Sequence, residues 1–216
     1  SLCINCSSCR DICRFSAISK EIEIIPMKCE GCGACTLVCP TKAIALREAK
    51  TGQTFVSRTP KGTLSHALLA IGAEGSGKLV TEVRKNIEQF KKAEKWVLID
   101  GSPGIGCVVI ASIIGSDAVV VVSEPTKSGL SDLKRVLGVA RHFGIPAFVC
   151  INKYDLNPEV TSEIESFCKS NSIPVIGRIP FDPSIMKALQ AFKTPVEAGN
   201  TNVIDEIRNI WMRLSL

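Results

Sequence analysis

The sequence predicts an α/β protein: a parallel sheet covered on both faces, joined to a small cysteine-rich module at the start of the chain. Three observations carry this reading. Short runs rich in Val and Ile alternate with amphipathic stretches of helical period. Those runs are nearly continuous in apolar residues, as strands buried on both faces of a parallel sheet are. Eight of the eleven cysteines fall in two runs of identical spacing before residue 40. A length of 216 residues suits one small module plus one ordinary domain, and 45% hydrophobic content is enough for a sizeable core.

The cysteine runs are Cys3-x2-Cys6-x2-Cys9-x3-Cys13 and Cys29-x2-Cys32-x2-Cys35-x3-Cys39-Pro40, offset by 26 residues. This is the spacing of bacterial two-cluster ferredoxins. Three thiolates at three-residue intervals wrap one face of a 4Fe-4S cubane, while the fourth points away and ligates the other cluster. The expected ligation is therefore crossed: Cys3, Cys6 and Cys9 with Cys39, and Cys29, Cys32 and Cys35 with Cys13. Ala17-Ile18 follows the first run as Ala43-Ile44 follows the second, which places equivalent apolar residues against each cluster. A disulfide framework would go with a secretory leader, and residues 1–25 show no basic segment followed by an apolar one. Zinc sites use two separated pairs rather than four closely set thiols repeated twice. The cysteine content thus points to a reducing, cytoplasmic setting.

Charge and hydropathy exclude further classes. The formal net charge is +5, but eight thiolates and two oxidised cubane cores together bring the loaded protein to about +1. No general attraction to nucleic acid is expected. The longest apolar stretches, Cys107 to Ile114 and Ala118 to Val122, fall far short of the roughly 20 residues that span a bilayer, and membrane contact is not expected.

Taken in order, the cysteine-rich module ends near Leu46, giving a ferredoxin domain over 1–46 and an α/β domain over 47–216. Arg47 to Gly52 reads as a polar connector, and Ala67 to Ile71 as an apolar run. Strands are expected at Trp96–Asp100, Ala118–Val122, Ala147–Ile151 and Val175–Ile179. Helices are expected near 77–93, 106–114, 128–143, 158–170, 183–191 and 202–214. In the last of these, Val203, Ile207, Ile210, Trp211 and Leu214 form one apolar stripe, whose expected role is docking on the sheet.

Chemistry in open α/β sheets gathers at the carboxyl ends of strands. After Trp96–Ile99 comes Asp100-Gly-Ser-Pro-Gly104-Ile-Gly-Cys107. An acidic residue at a strand tip can hold a hydrated magnesium, and the glycine at 104 would let a backbone amide reach a γ-phosphate; an ordinary strand-to-helix turn also favours Asp, Gly and Pro. After the strand ending at Ile151 comes Asn152-Lys-Tyr-Asp155, where the Asn amide can pair with one purine edge or cap a turn. Its spacing resembles the guanine motif of GTPases. Ser123-Glu-Pro-Thr126 reads as a capped helix start. Gly72-Ala-Glu-Gly-Ser-Gly-Lys78 matches the phosphate-loop pattern, but Leu79 stands where a Ser or Thr would offer magnesium its hydroxyl, so a turn before a helix is the favoured reading. Cys107, Cys150 and Cys168 lie outside the two runs, and a packed small residue is the simplest role for Cys107.

The order of the two-cluster block, Ser76-Gly-Lys-Leu-Val80, Asp100-Gly-Ser-Pro-Gly-Ile-Gly-Cys107, Ser123-Glu-Pro-Thr126 with Gly129-Leu130, and Cys150-Ile-Asn-Lys-Tyr-Asp-Leu-Asn157 resembles the MinD superfamily of P-loop ATPases carrying an inserted ferredoxin domain. Relatives of that group include the nitrogenase iron protein, Mrp-type iron–sulfur carriers and proteins labelled cobyrinic acid diamide synthase-like. The resemblance implies ATP with magnesium as cofactor, Asp100 as a catalytic residue of the magnesium and switch region together with Gly104, and Asn152 against adenine. It also implies a homodimer when nucleotide is bound, and a redox partner protein. The family's Walker A loop should precede the ferredoxin insert, whereas only Ser1 and Leu2 precede Cys3. The expectation is that this sequence is part of a longer chain. Two functions follow: ATP-coupled electron transfer through two 4Fe-4S clusters, or a non-catalytic carrier of electrons or clusters with the α/β domain as docking surface.

Overall fold

The computed structural model describes residues 2–90, 96–199 and 201–214, with the side chain of Thr201 left aside. The chain divides into two units: Ser1–Ser57 with Ser65–Glu74, and Arg58–Leu64 with Gly75–Leu216. The sequence reading drew its boundary at residues 46 and 47, where composition changes.

The first unit is built twice on one plan. Each cysteine run carries a short helix, α1 (Ser8–Ile12) and α2 (Ala34–Val38), which pack together. Each helix is entered through a left-handed residue, Ser7 (φ 63°) or Gly33 (φ 77°). A bridge between Ile18 and Ile24 pins the segment joining the two halves. The chain continues into a hairpin, β1 (Gly52–Thr59) and β2 (Gly62–Leu69), whose tip at Arg58–Leu64 is counted with the second unit and whose two-residue turn at Pro60-Lys61 makes the pairing antiparallel. The expected polar connector carries no helix or strand up to Thr51, and the hairpin that follows it was not expected. Thr59 Oγ1 donates to the Gly62 carbonyl at 2.8 Å across the turn, and Ser57 meets His66 Nε2 at 3.0 Å across the strands.

The second unit continues through α3 (Gly77–Glu88), α4 (Cys107–Ile113), β3 (Val119–Ser123), α5 (Lys127–His142), β4 (Ala147–Asn152), α6 (Pro158–Ser170), β5 (Val175–Ile179), α7 (Pro183–Gln190), α8 (Pro195–Ala198) and α9 (Thr201–Leu214). The part of the expected first helix over 91–93 lies outside the described residues. The sheet order is β3-β4-β5, all parallel, with Val121 beside Val149 and Ser123 beside Ile151. Crossovers through α5 and α6 are what parallel neighbours require.

Alternation along β4 shows why its sequence is apolar throughout. Val149 and Ile151, fully buried, pack with Leu133 and Leu137 of α5 and Ile164 and Cys168 of α6. Cys150 points the other way, and its register partner Gly177 faces Ile210 of α9. A helix therefore covers each face. Val203 and Ile204 of α9 are buried, and Arg213 donates from its guanidinium to the Ile176 carbonyl at 2.8 Å. The apolar stripe of the last helix is thus spent on the sheet. Among the described residues no helix is long and apolar enough to cross a membrane.

Gly177 permits that docking, because a Cβ there would overlap the Ile210 side chain. Gly177→Ala is expected to lower stability by about 1–3 kcal/mol, as overpacking does. Chemical denaturation should show it, and Ile210→Ala in the same chain should recover part of the loss.

One expected element is absent. Trp96 to Asp100 forms no ladder among the described residues, although its apolar run reads as a strand. An apolar run encodes burial, while a strand also needs a neighbour for its backbone groups. Among the described residues β3 ends the sheet and no strand lies alongside, and Val97 and Leu98 are exposed. Trp96 instead packs at a tilt against Trp211 of α9, with centroids 5.0 Å apart and ring planes 54° from parallel.

Candidate cluster sites and sheet-edge site

The twofold plan of the first unit brings the cysteines together in two sets. Cys3, Cys6, Cys9 and Cys39 line one cavity of about 290 Å³, walled by Ile18, Ile22, Ile24 and Ile44. Cys13, Cys29, Cys32 and Cys35 line a second of about 60 Å³, walled by Phe15, Ala17 and Leu46. Each set takes three thiols from one run and the fourth from the other. Such a donor set, four thiols around a space with apolar walls, fits a 4Fe-4S cubane.

Hydrogen bonds shape the thiols before any cluster is added. The Ala17 backbone N–H donates to Cys13 Sγ at 3.4 Å, and the Ala43 N–H to Cys39 Sγ at 3.2 Å. Bonding to Ser8, its hydroxyl first, holds the Cys6 thiol below its ordinary pKa. The Ala43 N–H does most to lower that of Cys39, with Thr41 assisting. Burial pushes Cys35 upward. Binding of iron to such thiols displaces their protons, so loading of the sites depends on pH.

The second unit gathers polar groups at the carboxyl ends of its strands. Asn152 closes β4, followed by Lys153 in the left-handed conformation (φ 54°). The Lys153 ammonium reaches Glu124, just past β3, at 2.7 Å. Asp155 Oδ1 accepts from the Phe181 backbone N–H at 2.7 Å, tying the turn after β4 to the turn after β5. That bond occupies an acceptor a guanine reader would need, which counts against the GTPase-like reading of Asn152-Lys-Tyr-Asp155. Thr126 caps α5 by accepting from Gly129 N at 2.9 Å, as its sequence suggests.

Asp100 is exposed at the end of the unpaired segment. Gly104 has φ +92°, open to glycine, and nothing lies within 4 Å of where its Cβ would stand. The 72–78 segment follows an antiparallel hairpin rather than a parallel strand, and Ser76 caps α3 by accepting from Leu79 N at 3.2 Å. It is a capped helix start. Cys107 is exposed, contrary to the packed role expected for it, while Cys150 and Cys168 are buried. Burial, with Glu206 nearby, raises the Cys150 thiol to about 11. Sequence reasoning missed the Glu124–Lys153 and Asp155–Phe181 links, because pairing across loops leaves no spacing signal.

A ferredoxin-type unit joined to a doubly covered parallel sheet defines an iron–sulfur protein on a nucleotide-binding fold. The 4Fe-4S binding domain family matches residues 22–45. The α/β part is similar in fold to the cell division ATPase MinD of Pyrococcus furiosus, with TM-score 0.53 and 18% identity over 67% of this chain and 60% of that one. MinD of Aquifex aeolicus gives TM-score 0.55 and 19% identity over 74% and 68%. The uncharacterized protein MJ0578 of Methanocaldococcus jannaschii is 30% identical over 98% of this chain and 71% of its own length. A second protein of that organism, MJ0579, is 26% identical over 75% of this chain and 63% of its own length. The chain belongs to the family of MJ0578, with a segment of the 4Fe-4S binding domain family and an α/β part that has the fold of the MinD ATPases.

Proposed function

We propose that this chain is the cluster-bearing part of a protein in which ATP binding and hydrolysis, with magnesium, control electron transfer through two 4Fe-4S clusters to a partner protein. The observation that carries the reading is the presence, in one chain, of two four-thiol cavities and a MinD-like sheet with polar groups at its strand ends. In this reading the eight cysteines of the two runs hold the clusters in the crossed arrangement. Asp100 and Gly104 serve magnesium and the γ-phosphate, and Asn152 meets the adenine edge. The active form is a homodimer with nucleotide bound, working in the cytoplasm. A neighbour of similar fold was solved as the MinC:MinD complex of Aquifex aeolicus, a precedent for partner docking on this fold.

A carrier role is the second reading, and particular relatives favour it. The cytosolic Fe-S cluster assembly factor NUBP1 homolog of Caenorhabditis elegans is 28% identical over 64% of this chain and 52% of its own length. A stretch amounting to 22% of this chain also has a counterpart in the pyruvate synthase subunit PorD of Methanothermobacter marburgensis, 44% identical over 48 residues and 59% of that protein. Under this reading the α/β unit is a docking surface and clusters or electrons pass without turnover.

The two readings separate in the protein extended to the length of its relatives and loaded with iron and sulfide. ATP with magnesium is expected to shift at least one cluster midpoint potential, and reductant is expected to accelerate ATP hydrolysis. If neither property responds to nucleotide, the gating reading fails and the carrier reading stands.

A further inference from the structure

The two halves of the ferredoxin unit share one backbone. Asn5 (φ 54°) and Gly31 (φ 62°), Ser7 (φ 63°) and Gly33 (φ 77°), and Ser16 (φ 50°) and Lys42 (φ 51°) are equivalent under the 26-residue offset and adopt matching left-handed conformations. Both halves also supply the same backbone donor to their fourth cysteine, Ala17 N–H on Cys13 and Ala43 N–H on Cys39. With the backbone held constant, the remaining differences between the cavities are side chains.

Among the described residues, the side chains that hydrogen-bond a cysteine of either cavity all fall on one side. Ser8 Oγ lies 3.4 Å from Cys6 Sγ, and the equivalent of Ser8 is Ala34, which has no hydroxyl. Thr41 Oγ1 lies 3.8 Å from Cys39 Sγ, and its equivalent is Phe15. Asn5 places its side-chain amide oxygen 3.4 Å from Cys3 Sγ, where its equivalent, Gly31, has no side chain. In the thiol form Cys3 donates to that oxygen. A thiolate has no proton to give, so toward it the amide bonds only through its NH₂ end. Cys3, Cys6 and Cys39 all line the first cavity. In the second cavity the thiols have backbone donors, the Ala17 N–H at Cys13 and the Cys35 N–H at its own sulfur.

We infer that Asn5, Ser8 and Thr41 raise the reduction potential of the cluster held by Cys3, Cys6, Cys9 and Cys39 above that of its twin, making it the site where a single added electron rests. Reduction adds one negative charge to a cluster and its thiolates, and donors aimed at the sulfurs stabilise that charge more than they stabilise the oxidised state. Three such donors present on one cluster and absent on the other set the order of the two potentials. The inference rests on the two-cluster reading above and adds a direction to it.

The test uses the loaded full-length protein, titrated with a reductant and followed by electron paramagnetic resonance, with paramagnetic NMR of the cysteine β-protons identifying each cluster. Two midpoints are expected, the higher one at Cys3, Cys6, Cys9 and Cys39. A preference on the order of tenfold corresponds to 59 mV for one electron. Asn5→Gly with Ser8→Ala and Thr41→Val is expected to lower that midpoint and close the gap, leaving the other in place. Gly31→Asn with Ala34→Ser is expected to raise the lower one, and the open space at Gly31 accepts the side chain. Coincident midpoints in the unaltered protein, or a triple variant that moves the other cluster, would overturn the inference while a count of about eight irons kept the two-cluster reading intact. A count of about four irons would overturn both.

Discussion

Cys13→Ser is expected to strip the cluster of the second cysteine run and spare that of the first. By chain position the opposite would be natural, since Cys13 closes the first run. By geometry Cys13 lines the cavity of Cys29, Cys32 and Cys35, and Cys39 lines that of Cys3, Cys6 and Cys9. Iron and acid-labile sulfide should fall from about eight to about four atoms each per chain. The surviving paramagnetic NMR signals should come from Cys3, Cys6, Cys9 and Cys39. Their disappearance, with survival of the signals from the second run, would mean that each run closes on itself. The loss should also weaken the unit as a whole. Among its described residues only Cys9, Ala17 and Ile18 are buried hydrophobics, so apolar burial alone offers little to hold it together. Cluster binding then supplies much of the folding free energy, as it does in other small metal-dependent modules. Hydrogen exchange is expected to accelerate across Cys29 to Cys39 first.

What the sequence revealed depended on whether a feature has a local signature. The eight cysteines are legible because ligation by a rigid cluster forces fixed spacing. The strands β3, β4 and β5 are legible because helices on both faces demand apolar residues at every position, from Val119 to Val122 and from Ala147 to Ile151. Trp96 to Asp100 satisfies the same pattern and yet forms no strand, because composition reports a wish for burial and says nothing of a partner. The hairpin of β1 and β2 went unread for the opposite reason. Its strands mix Gln, Ser, Arg and His into both faces, so no clean alternation appears, although Thr59-Pro-Lys-Gly62 carries a turn signal. The donors Asn5, Ser8 and Thr41 were present in the repeat from the start. They become visible only when the two halves are known to share one backbone and can be subtracted residue by residue.

Asp100→Asn is expected to lower magnesium-dependent ATP hydrolysis of the full-length protein on the order of 10²–10³-fold, the loss typical when one electrostatic partner of a developing charge is removed. The substitution keeps the shape and removes the charge. Asp100 is exposed at the end of the 96–99 segment, and the following loop passes through Gly104 at φ +92° with open space beside it. If this segment were only a turn leading into α4, an exposed aspartate there would tolerate asparagine with a stability change within about 0.5 kcal/mol and no change in turnover. The two accounts therefore differ in activity and agree on stability, which makes the variant discriminating. Cluster content gives an internal control. Asp100 belongs to the α/β unit and the eight cysteines to the other, so iron per chain should remain unchanged. Gly104→Ala, made on its own, tests the loop separately, since an alanine at that φ is strained. It should impair hydrolysis even though Asp100 remains. Retained hydrolysis in both variants would remove the segment from the nucleotide site and leave the α/β unit with the docking role of the carrier reading.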